Sequence, residues 1–285
     1  MPANFKAELV ACFGQPVAEN PTGAMQEAAF RAMGLNWRYL TVEVSPENLA
    51  DAIRGARAFG MRGLNLTIPH KVAVIPLLDE IAPDAAVIGA VNTVRFDGRR
   101  LIGENTDGKG FLRGVRVDAG LDPRGKRAIV LGAGGAARAI VTELALAGVD
   151  DLLVVNRSAE RAWRMTEEIA IRTKHHIRCQ PWRGTYRVPA DTDILVNATS
   201  IGLYPDVDAM PPVDLREAQP GLLVCDAVFN PPETRLLAAA RELGLPTLDG
   251  LSMLVYQGVI GCRLWTGQDP PEDVMKHALR QALGL

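Results

Sequence analysis

The sequence predicts an α/β fold in two domains, and three observations lead to this prediction. Short apolar segments alternate with helix-like stretches along most of the chain, an order typical of βαβ units and mainly parallel sheets. A glycine-rich turn follows one of the apolar segments in the middle of the chain. The chain after Gly250 is helical and has no strands of its own, so it must pack against another part of the protein.

In the first third of the chain, strands and helices alternate. The predicted strands are Leu9–Phe13, Tyr39–Val44 and Gly63–Ile68, followed by a hairpin of Ala90–Phe96 and Arg100–Gly103 that turns at Asp97-Gly98. The predicted helices are Ala24–Met33, a helix that begins at the Ser45-Pro46 cap and ends at Phe59, and Lys71–Ile81.

The middle of the chain repeats the strand–helix order more regularly. The predicted strands are Arg127–Leu131, Leu152–Val155, Asp193–Asn197 and Leu222–Asp226, and the predicted helices are Ala136–Ala147 and Ser158–Arg172. Two last helices, Met253–Trp265 and Glu272–Leu283, form the tail. We expect this tail to complete the first domain, which is then discontinuous in sequence.

Composition and charge restrict the classes of function. The chain has 285 residues, of which 48% are hydrophobic and 22% charged, with a net charge of −2. This apolar content excludes a mainly disordered protein, and the small net charge gives no long-range attraction to nucleic acid or to an anionic membrane. No apolar stretch reaches the roughly 18 residues of a membrane span, and Leu9–Phe13, after the polar Met1–Glu8, is too brief for a signal peptide. We expect a cytoplasmic protein, monomer or homodimer, that binds neither nucleic acid nor membrane.

Neither a disulfide nor a metal site is expected. The four cysteines, Cys12, Cys179, Cys225 and Cys262, lie far apart, and three of them are in apolar stretches typical of buried free thiols. The histidines show no ligand spacing with acidic residues or cysteines.

The glycine turn predicts a nucleotide site. Gly132-Ala133-Gly134-Gly135-Ala136-Ala137 fits the pattern G-x-G-x-x-G/A, follows a buried strand and opens a helix. The first glycine permits the tight turn, the second lets the backbone approach a pyrophosphate, and the small last residue lets helix and strand pack closely. The helix amino terminus then offers free N–H groups to phosphate. The order of elements around this turn is that of a doubly wound, Rossmann-type dinucleotide-binding domain, although a purely structural glycine turn is the alternative.

The end of the next strand favours NADP over NAD. A site for NAD usually has an acidic residue there, which binds the ribose hydroxyls. This chain instead has Asn156, Arg157, Ser158 and, one turn later, Arg161. Guanidinium groups suit a 2′-phosphate through charge-assisted hydrogen bonds. The alternative is that these arginines are only the solvated start of a helix.

Three polar segments follow apolar strands in the first domain. They are Gly63–Lys71, Ala90–Thr93 and Gly103–Gly108. Ligands of α/β proteins bind at the carboxyl ends of strands, although Asn and Asp also favour simple turns. A hydride-transfer enzyme needs a group that gives or takes the alcohol proton, and Lys71 with Asp107 is the natural pair for this role. A surface position for Lys71 is the alternative.

The chain resembles the shikimate dehydrogenase family along almost its whole length. The motifs that carry the resemblance are Gly14–Val17, Asn65–Lys71, Ala90–Thr93, Asn105–Gly108, the glycine turn, Asn156–Ser158, Asn197–Leu203, Asp226–Pro231 and Gly250–Gln257. The resemblance implies an NADP-dependent oxidoreductase of aromatic amino acid biosynthesis that interconverts 3-dehydroshikimate and shikimate. It also implies a substrate-binding and catalytic domain of residues 1–107 and 250–285 and an NADP-binding domain of residues 108–249.

The resemblance also implies roles for individual residues. Lys71 is the expected catalytic acid and base, and Asp107 is expected to pair with it and hold a ring hydroxyl. The residues expected to bind the other hydroxyls are Thr67, Asn92 and Gln257. The residues expected near the cofactor, besides the glycine turn with Gly132, Gly134, Gly135 and Ala136, are Asn197, Thr199, Ser200, Gly250 and Met253.

One part of the family pattern is altered. Family members usually carry His-Ser-x-Ser-Pro, whose two serines hold the substrate carboxylate with help from a tyrosine. The matching positions here are Asn20, Thr22 and Phe229, and Glu19 adds a negative charge beside them. Asn20 and Thr22 can still donate hydrogen bonds to an anion, whereas Phe229 cannot. Shikimate remains the expected substrate, because Asn and Thr could rebuild the carboxylate site. Because the site is altered, quinate, an amino-shikimate and a ring lacking the carboxylate are the alternatives.

A rival function comes from a different class. A protein with this fold and an altered carboxylate site could bind NADP as a sensor without turning over a substrate. Turnover of any polyhydroxylated ring would distinguish an enzyme from such a sensor.

Overall fold

The computed structural model describes residues 5–285; residues 1–4, part of the polar segment Met1–Glu8, lie outside the described part. The chain divides into two compact units. One comprises Met1–Thr106 with Val255–Leu285, and the other comprises Asp107–Leu254. Each unit contains a six-stranded sheet with helices, which confirms the predicted α/β class.

The sheet of the first unit is mixed. Its strands are β1 (Glu8–Gly14), β2 (Trp37–Glu43), β3 (Gly63–Leu66), β4 (Glu80–Ile81), β5 (Thr93–Asp97) and β6 (Arg100–Glu104), in the spatial order β2-β1-β3-β5-β6-β4. Strand β1 pairs in parallel with β2 and β3, whereas β5 is antiparallel to β3 and β6. Asp97 lies opposite Arg100, which confirms the predicted hairpin.

The helices of this part are α1 (Thr22–Ala32), α2 (Leu49–Ala58), α3 (His70–Ala73) and α4 (Pro83–Ile88). The prediction of one helix over Lys71–Ile81 is wrong. Helix α3 stops after one turn, and Ile75–Leu77 forms a 3₁₀ turn before β4. Pro76 lies in this turn; it has no N–H to donate, and its ring would clash inside an α-helix.

The predicted Ser45 cap also differs from the structure. Ser45 precedes a 3₁₀ turn, Pro46–Asn48, and makes no side-chain bond to the backbone of that turn. Its hydroxyl instead accepts a hydrogen bond from the Asn48 side chain at 3.1 Å. The α-helix that follows begins only at Leu49.

The second unit has a fully parallel sheet. Its main strands are β7 (Arg127–Leu131), β8 (Asp151–Asn156), β9 (Ile177–Pro181), β11 (Ile194–Asn197), β13 (Leu223–Asp226) and β14 (Thr247–Leu248), in the order β14-β13-β11-β7-β8-β9. Two short strands, β10 (Tyr186–Arg187) and β12 (Val213–Asp214), form a separate pair. The helices are α5 (Asp107–Val117), α6 (Gly135–Leu146), α7 (Ala159–Thr173) and α8 (Arg235–Glu242).

Helix α5 was not predicted, because its glycines are typical of a loop. The structure shows why two of them are needed. A Cβ at Gly108 would lie 2.5 Å from the Ala139 carbonyl oxygen in α6, and a Cβ at Gly114 would lie 3.0 Å from the Ser252 side chain. The glycines therefore allow close helix packing, which no local pattern reveals.

The C-terminal helices are α9 (Gly250–Thr266), which begins in the second unit, and α10 (Glu272–Ala282). From Val255 onward they belong to the core of the first unit. The Gln26 side chain donates to the Gly258 carbonyl at 2.8 Å, and the Trp265 indole donates to the Val94 carbonyl at 3.1 Å. Helix α10 packs against α1 and buries Met275 completely.

Replacing Gly63 with alanine is expected to lower the free energy of unfolding by about 2 kcal/mol, because the close contact with Trp265 cannot accommodate a methyl group. A Cβ at Gly63 would contact the Trp265 ring and lie 2.6 Å from the Val94 carbonyl oxygen. Gly55→Ala is the matched control, because a Cβ in that helix meets only Phe59 at 3.9 Å. Urea unfolding measures both variants, and equal stabilities would contradict this packing.

All four cysteines are free thiols; Cys12, Cys225 and Cys262 are buried, and Cys179 is partly buried.

Within residues 5–285, the helices are all too short or too polar to span a membrane.

Candidate active site

A cavity of about 300 Å³ lies at the carboxyl ends of the strands in the second unit. The glycine turn after β7, the end of β8, the residue after β9 and the loop after β11 all contribute to it. The lining residues are Gly132, Ala133, Gly134, Asn156, Arg157, Arg161, Trp182, Ala198, Thr199, Ser200 and Ile201. This is the edge of a parallel sheet at which nucleotides bind.

The glycine turn leaves its backbone open to a ligand. Gly132 has a φ of +110°, and a Cβ there would lie 2.8 Å from the Ala198 carbonyl oxygen. Helix α6 begins at Gly135 without a side-chain cap, and apart from the adjoining backbone nothing lies within 4 Å of a Cβ placed at Gly134 or Gly135. Ala136 is half-buried in the first turn of α6. The amino terminus of α6 can therefore receive a pyrophosphate.

Arg157 and Arg161 are exposed and line this cavity. Among the described residues, no carboxylate lies within ion-pair distance of either guanidinium group, and none lines the cavity. Two guanidinium groups without acidic partners fit a 2′-phosphate, which carries charge and several acceptor oxygens. The donor set therefore fits NADP better than NAD.

Asn156 and Ser158 shape the start of α7. The Asn156 amide donates to the Ser158 carbonyl at 2.9 Å, and the Ser158 hydroxyl accepts from the Arg161 amide at 3.3 Å as the helix cap. This cap fixes the backbone that carries Arg161. Trp182, which sequence reasoning missed, is anchored at the same edge because its amide donates to the Asn156 carbonyl at 2.9 Å.

The loop after β11 depends on a buried polar pair. Asn197 is fully buried and lies beside the cavity lining rather than in it, whereas Thr199 and Ser200 line the cavity. The Asn197 amide donates to the Asp226 carboxylate at 2.9 Å. Burial raises the pKa of Asp226 to about 6, although hydrogen bonds from Val228, Thr234 and Asn197 oppose this shift. The sequence analysis names Asp226 only as the first residue of a family motif at the end of a buried strand, and it assigns the residue no role.

The remaining expected residues of this unit lie near the start of α9 or of α5. A Cβ at Gly250 would contact the Val228 carbonyl, so Gly250 allows α9 to begin against that backbone. Phe229 and Met253 are half-buried. Asp107 is the first residue of α5 and of the second unit.

The first unit contains a buried network of amide and hydroxyl groups. The Tyr39 hydroxyl donates to Asn65 at 2.7 Å, and the Asn65 amide donates to the Thr93 hydroxyl at 3.0 Å. The Asn92 amide donates to the Thr106 hydroxyl at 3.0 Å, and its carbonyl accepts from the Thr106 amide at 2.7 Å. This network fixes the ends of β3 and β5, from which the expected substrate residues extend.

Lys71 lies on α3 and is half-buried, as is Thr67 just before it. Burial raises the pKa of the Cys12 thiol to about 11, and the Tyr39 hydroxyl and the positive charge of Lys71 oppose this shift. The Lys71 amine therefore lies within electrostatic range of Cys12. Gln257, on α9, is buried in the same unit.

Asn20 and Thr22 are at the start of α1. The Asn20 carbonyl oxygen accepts a hydrogen bond from the Thr22 amide at 3.0 Å, and its amide lies 3.5 Å from the Cys12 sulfur. The Asn20 side chain is thus used to hold the start of α1. Thr22 is 4% exposed, while Glu19 is exposed.

Three family models match the chain. The model described as the shikimate dehydrogenase substrate binding domain matches residues 12–94. The model of shikimate / quinate 5-dehydrogenase matches residues 118–204, and the model of the shikimate 5'-dehydrogenase C-terminal domain matches residues 250–280.

Individual proteins are similar over their full length. A protein of Methanopyrus kandleri named shikimate dehydrogenase (NADP(+)) is 45% identical over 280 residues, which are 98% of this chain and 97% of that protein. The ligand-free 5-ketofructose reductase of Gluconobacter sp. strain CHM43 is 46% identical with a TM-score of 0.93, covering 98% of this chain and 99% of that one. The shikimate 5-dehydrogenase of Thermus thermophilus, solved with NADP(H) and shikimate, is 36% identical with a TM-score of 0.84. The match covers 96% of this chain and 99% of that one.

Proposed function

This chain belongs to the shikimate dehydrogenase family, and we propose that it interconverts a ketone and an alcohol on a polyhydroxylated substrate with NADP as the cofactor. The observation that carries this proposal is the cavity of the second unit. There the glycine turn, the open amino terminus of α6 and two guanidinium groups form the donor set that NADP needs.

Within this proposal, Asp107–Leu254 binds the cofactor and the other unit binds the substrate. Gly132, Gly134 and the amides at the start of α6 hold the pyrophosphate, and Arg157 with Arg161 holds the 2′-phosphate. When bound, NADPH supplies the hydride.

The chain's own residues handle the proton and the hydroxyl groups. The Lys71 ammonium donates a proton to the carbonyl oxygen during reduction, and its neutral amine accepts the alcohol proton during oxidation. Asp107 orients the amine, while Thr67, Asn92 and Gln257 bind the substrate hydroxyls. These roles rest on the family membership and on the polar network of the first unit.

Shikimate is one candidate substrate. The name of the Methanopyrus kandleri relative and the shikimate bound to the Thermus thermophilus structure support it. In this case the reaction is 3-dehydroshikimate with NADPH to shikimate with NADP, a step of aromatic amino acid biosynthesis.

An uncharged polyhydroxylated ketone is the second candidate, and the side-chain geometry favours it. The Asn20 carbonyl oxygen accepts from the Thr22 amide, one hydrogen of its own amide faces the Cys12 sulfur, and Phe229 has no hydroxyl. A substrate carboxylate would therefore find fewer donors. The similarity to a 5-ketofructose reductase, whose named substrate has no carboxylate, points the same way.

We expect kcat/KM for 5-ketofructose or an uncharged cyclitol ketone to exceed that for 3-dehydroshikimate by at least about tenfold, because each missing hydrogen bond to a charged group costs about 1.5–3 kcal/mol. Initial rates of NADPH oxidation measure both substrates. The matched variant is the triple substitution Asn20→Ser, Thr22→Ser, Phe229→Tyr, which should shift the ratio toward 3-dehydroshikimate.

A wild-type preference for 3-dehydroshikimate would instead select the first candidate. Tight NADP binding without turnover of any of these ketones, or of shikimate and quinate in the oxidative direction, would indicate the non-catalytic sensor.

A further inference from the structure

Asp226 and Asn197 form a buried pair at the ends of neighbouring strands. They are register partners in β13 and β11, and they are 2% and 0% exposed. The distance from Asn197 Nδ2 to Asp226 Oδ1 is 2.9 Å. A carboxylate and an amide that are both removed from water must satisfy each other, since an unpaired buried polar group is costly.

Each member of the pair also holds a different loop. Asp226 accepts hydrogen bonds from the Val228 amide at 3.0 Å and from the Thr234 hydroxyl at 2.7 Å, which fixes the segment after β13. The Asn197 carbonyl oxygen accepts from the Thr199 amide at 3.1 Å and from the Thr199 hydroxyl at 2.7 Å. That hydroxyl then accepts from the Ile201 amide at 3.1 Å.

This chain of bonds leads from a buried charge to the surface of the cavity. Asp226 and Asn197 do not line the cavity, but residues Ala198–Ile201, which follow Asn197, all do. Asp226 is therefore placed to influence the cavity through the shape of that loop and without touching a ligand.

We propose that Asp226 is a positioning residue for the cofactor: by binding the Asn197 amide, it fixes the loop of residues 198–201 in the shape that receives NADP. This inference deepens the proposed function, because it assumes that the cavity holds NADP. In this account Asn197 supports the loop of residues 198–201, and Thr199 and Ser200 contact NADP directly.

A charge swap tests the pair. In Asn197→Asp two carboxyl groups would face each other, and they would either repel or share one proton. In both cases the Asn197 amide no longer donates to Asp226 and to the Ile201 carbonyl, so we expect the Kd for NADP to rise by at least about tenfold. Asp226→Asn keeps an acceptor oxygen for Asn197 and for Val228, and its Kd is expected within about threefold of wild type. The double variant Asn197→Asp/Asp226→Asn restores a complementary pair and should recover most of the binding.

Calorimetry with NADP alone gives these constants, and thermal melts confirm that each variant is folded. Should Asn197→Asp not fold, Asn197→Ala removes the bonds to Asp226 and to Thr199 at a residue that does not line the cavity, and it should still weaken NADP binding. Wild-type affinity in Asn197→Asp or Asn197→Ala, or no recovery in the double variant, would overturn the inference while leaving the cofactor assignment intact. A wild-type protein that does not bind NADP would contradict both.

Discussion

Replacing Lys71 with alanine is expected to lower kcat by about a thousandfold, because a positioned acid or base contributes roughly 10²–10⁴ to the rate of proton transfer. The cofactor cavity lies in the other unit, so the Kd for NADP should stay near its wild-type value. Steady-state rates with saturating NADPH and ketone measure kcat, and calorimetry measures the Kd.

Two further variants separate proton transfer from charge. Lys71→Arg keeps a positive charge but cannot release a proton near neutral pH, so it should be nearly as slow as the alanine variant. Lys126→Ala is the matched control, because Lys126 is a surface lysine paired with Asp193 and should leave kcat unchanged. A Lys71→Ala enzyme with near-normal kcat would remove Lys71 from the mechanism.

The double variant Arg157→Ala/Arg161→Ala is expected to raise the Kd for NADP by at least about a hundredfold, since each charge-assisted hydrogen bond contributes about 1.5–3 kcal/mol. NAD has no 2′-phosphate, so its Kd should change by much less. Titration of both cofactors therefore measures the contribution of the 2′-phosphate directly.

Arg164→Ala provides the matched control for the arginine pair. Arg164 lies on α7, as Arg161 does, is exposed, and pairs with Glu160 at 2.8 Å, so its loss should leave NADP binding intact. If the double variant weakened the binding of NADP and of NAD equally, the two arginines would not bind the 2′-phosphate.

Strands with a simple apolar pattern could be predicted from the sequence. Arg127–Leu131 has the predicted bounds because a continuous apolar run between turn residues is typical of a buried parallel strand. Helices that depend on packing could not. The glycines of α5 resemble a loop until Ala139 and Ser252 are seen beside them, and Pro76 ends a pattern that otherwise favours a helix through Ile81.

The residues of the candidate site also divide into those that the sequence predicts and those that only the structure shows. Arg157 and Arg161 could be selected from the sequence, because their distance from the glycine turn is fixed by one βαβ unit. Trp182 could not, and the role of Asp226 could not, although Asp226 opens a family motif; their relation to the cavity arises from neighbouring strands that are far apart in sequence. Asn20 is a candidate anion donor by residue type, and only the structure shows that its carbonyl oxygen accepts from Thr22 and that its amide faces the Cys12 sulfur.

Transfer of deuterium tests the central claim most directly. The protein would be incubated with a polyhydroxylated ketone and NADPH that carries deuterium at the transferable position of the nicotinamide. Direct hydride transfer predicts that the alcohol product carries one deuterium on the former carbonyl carbon, seen by mass spectrometry and by NMR. Failure to consume NADPH with any of the ketones, or an alcohol product without deuterium, would contradict the proposed function.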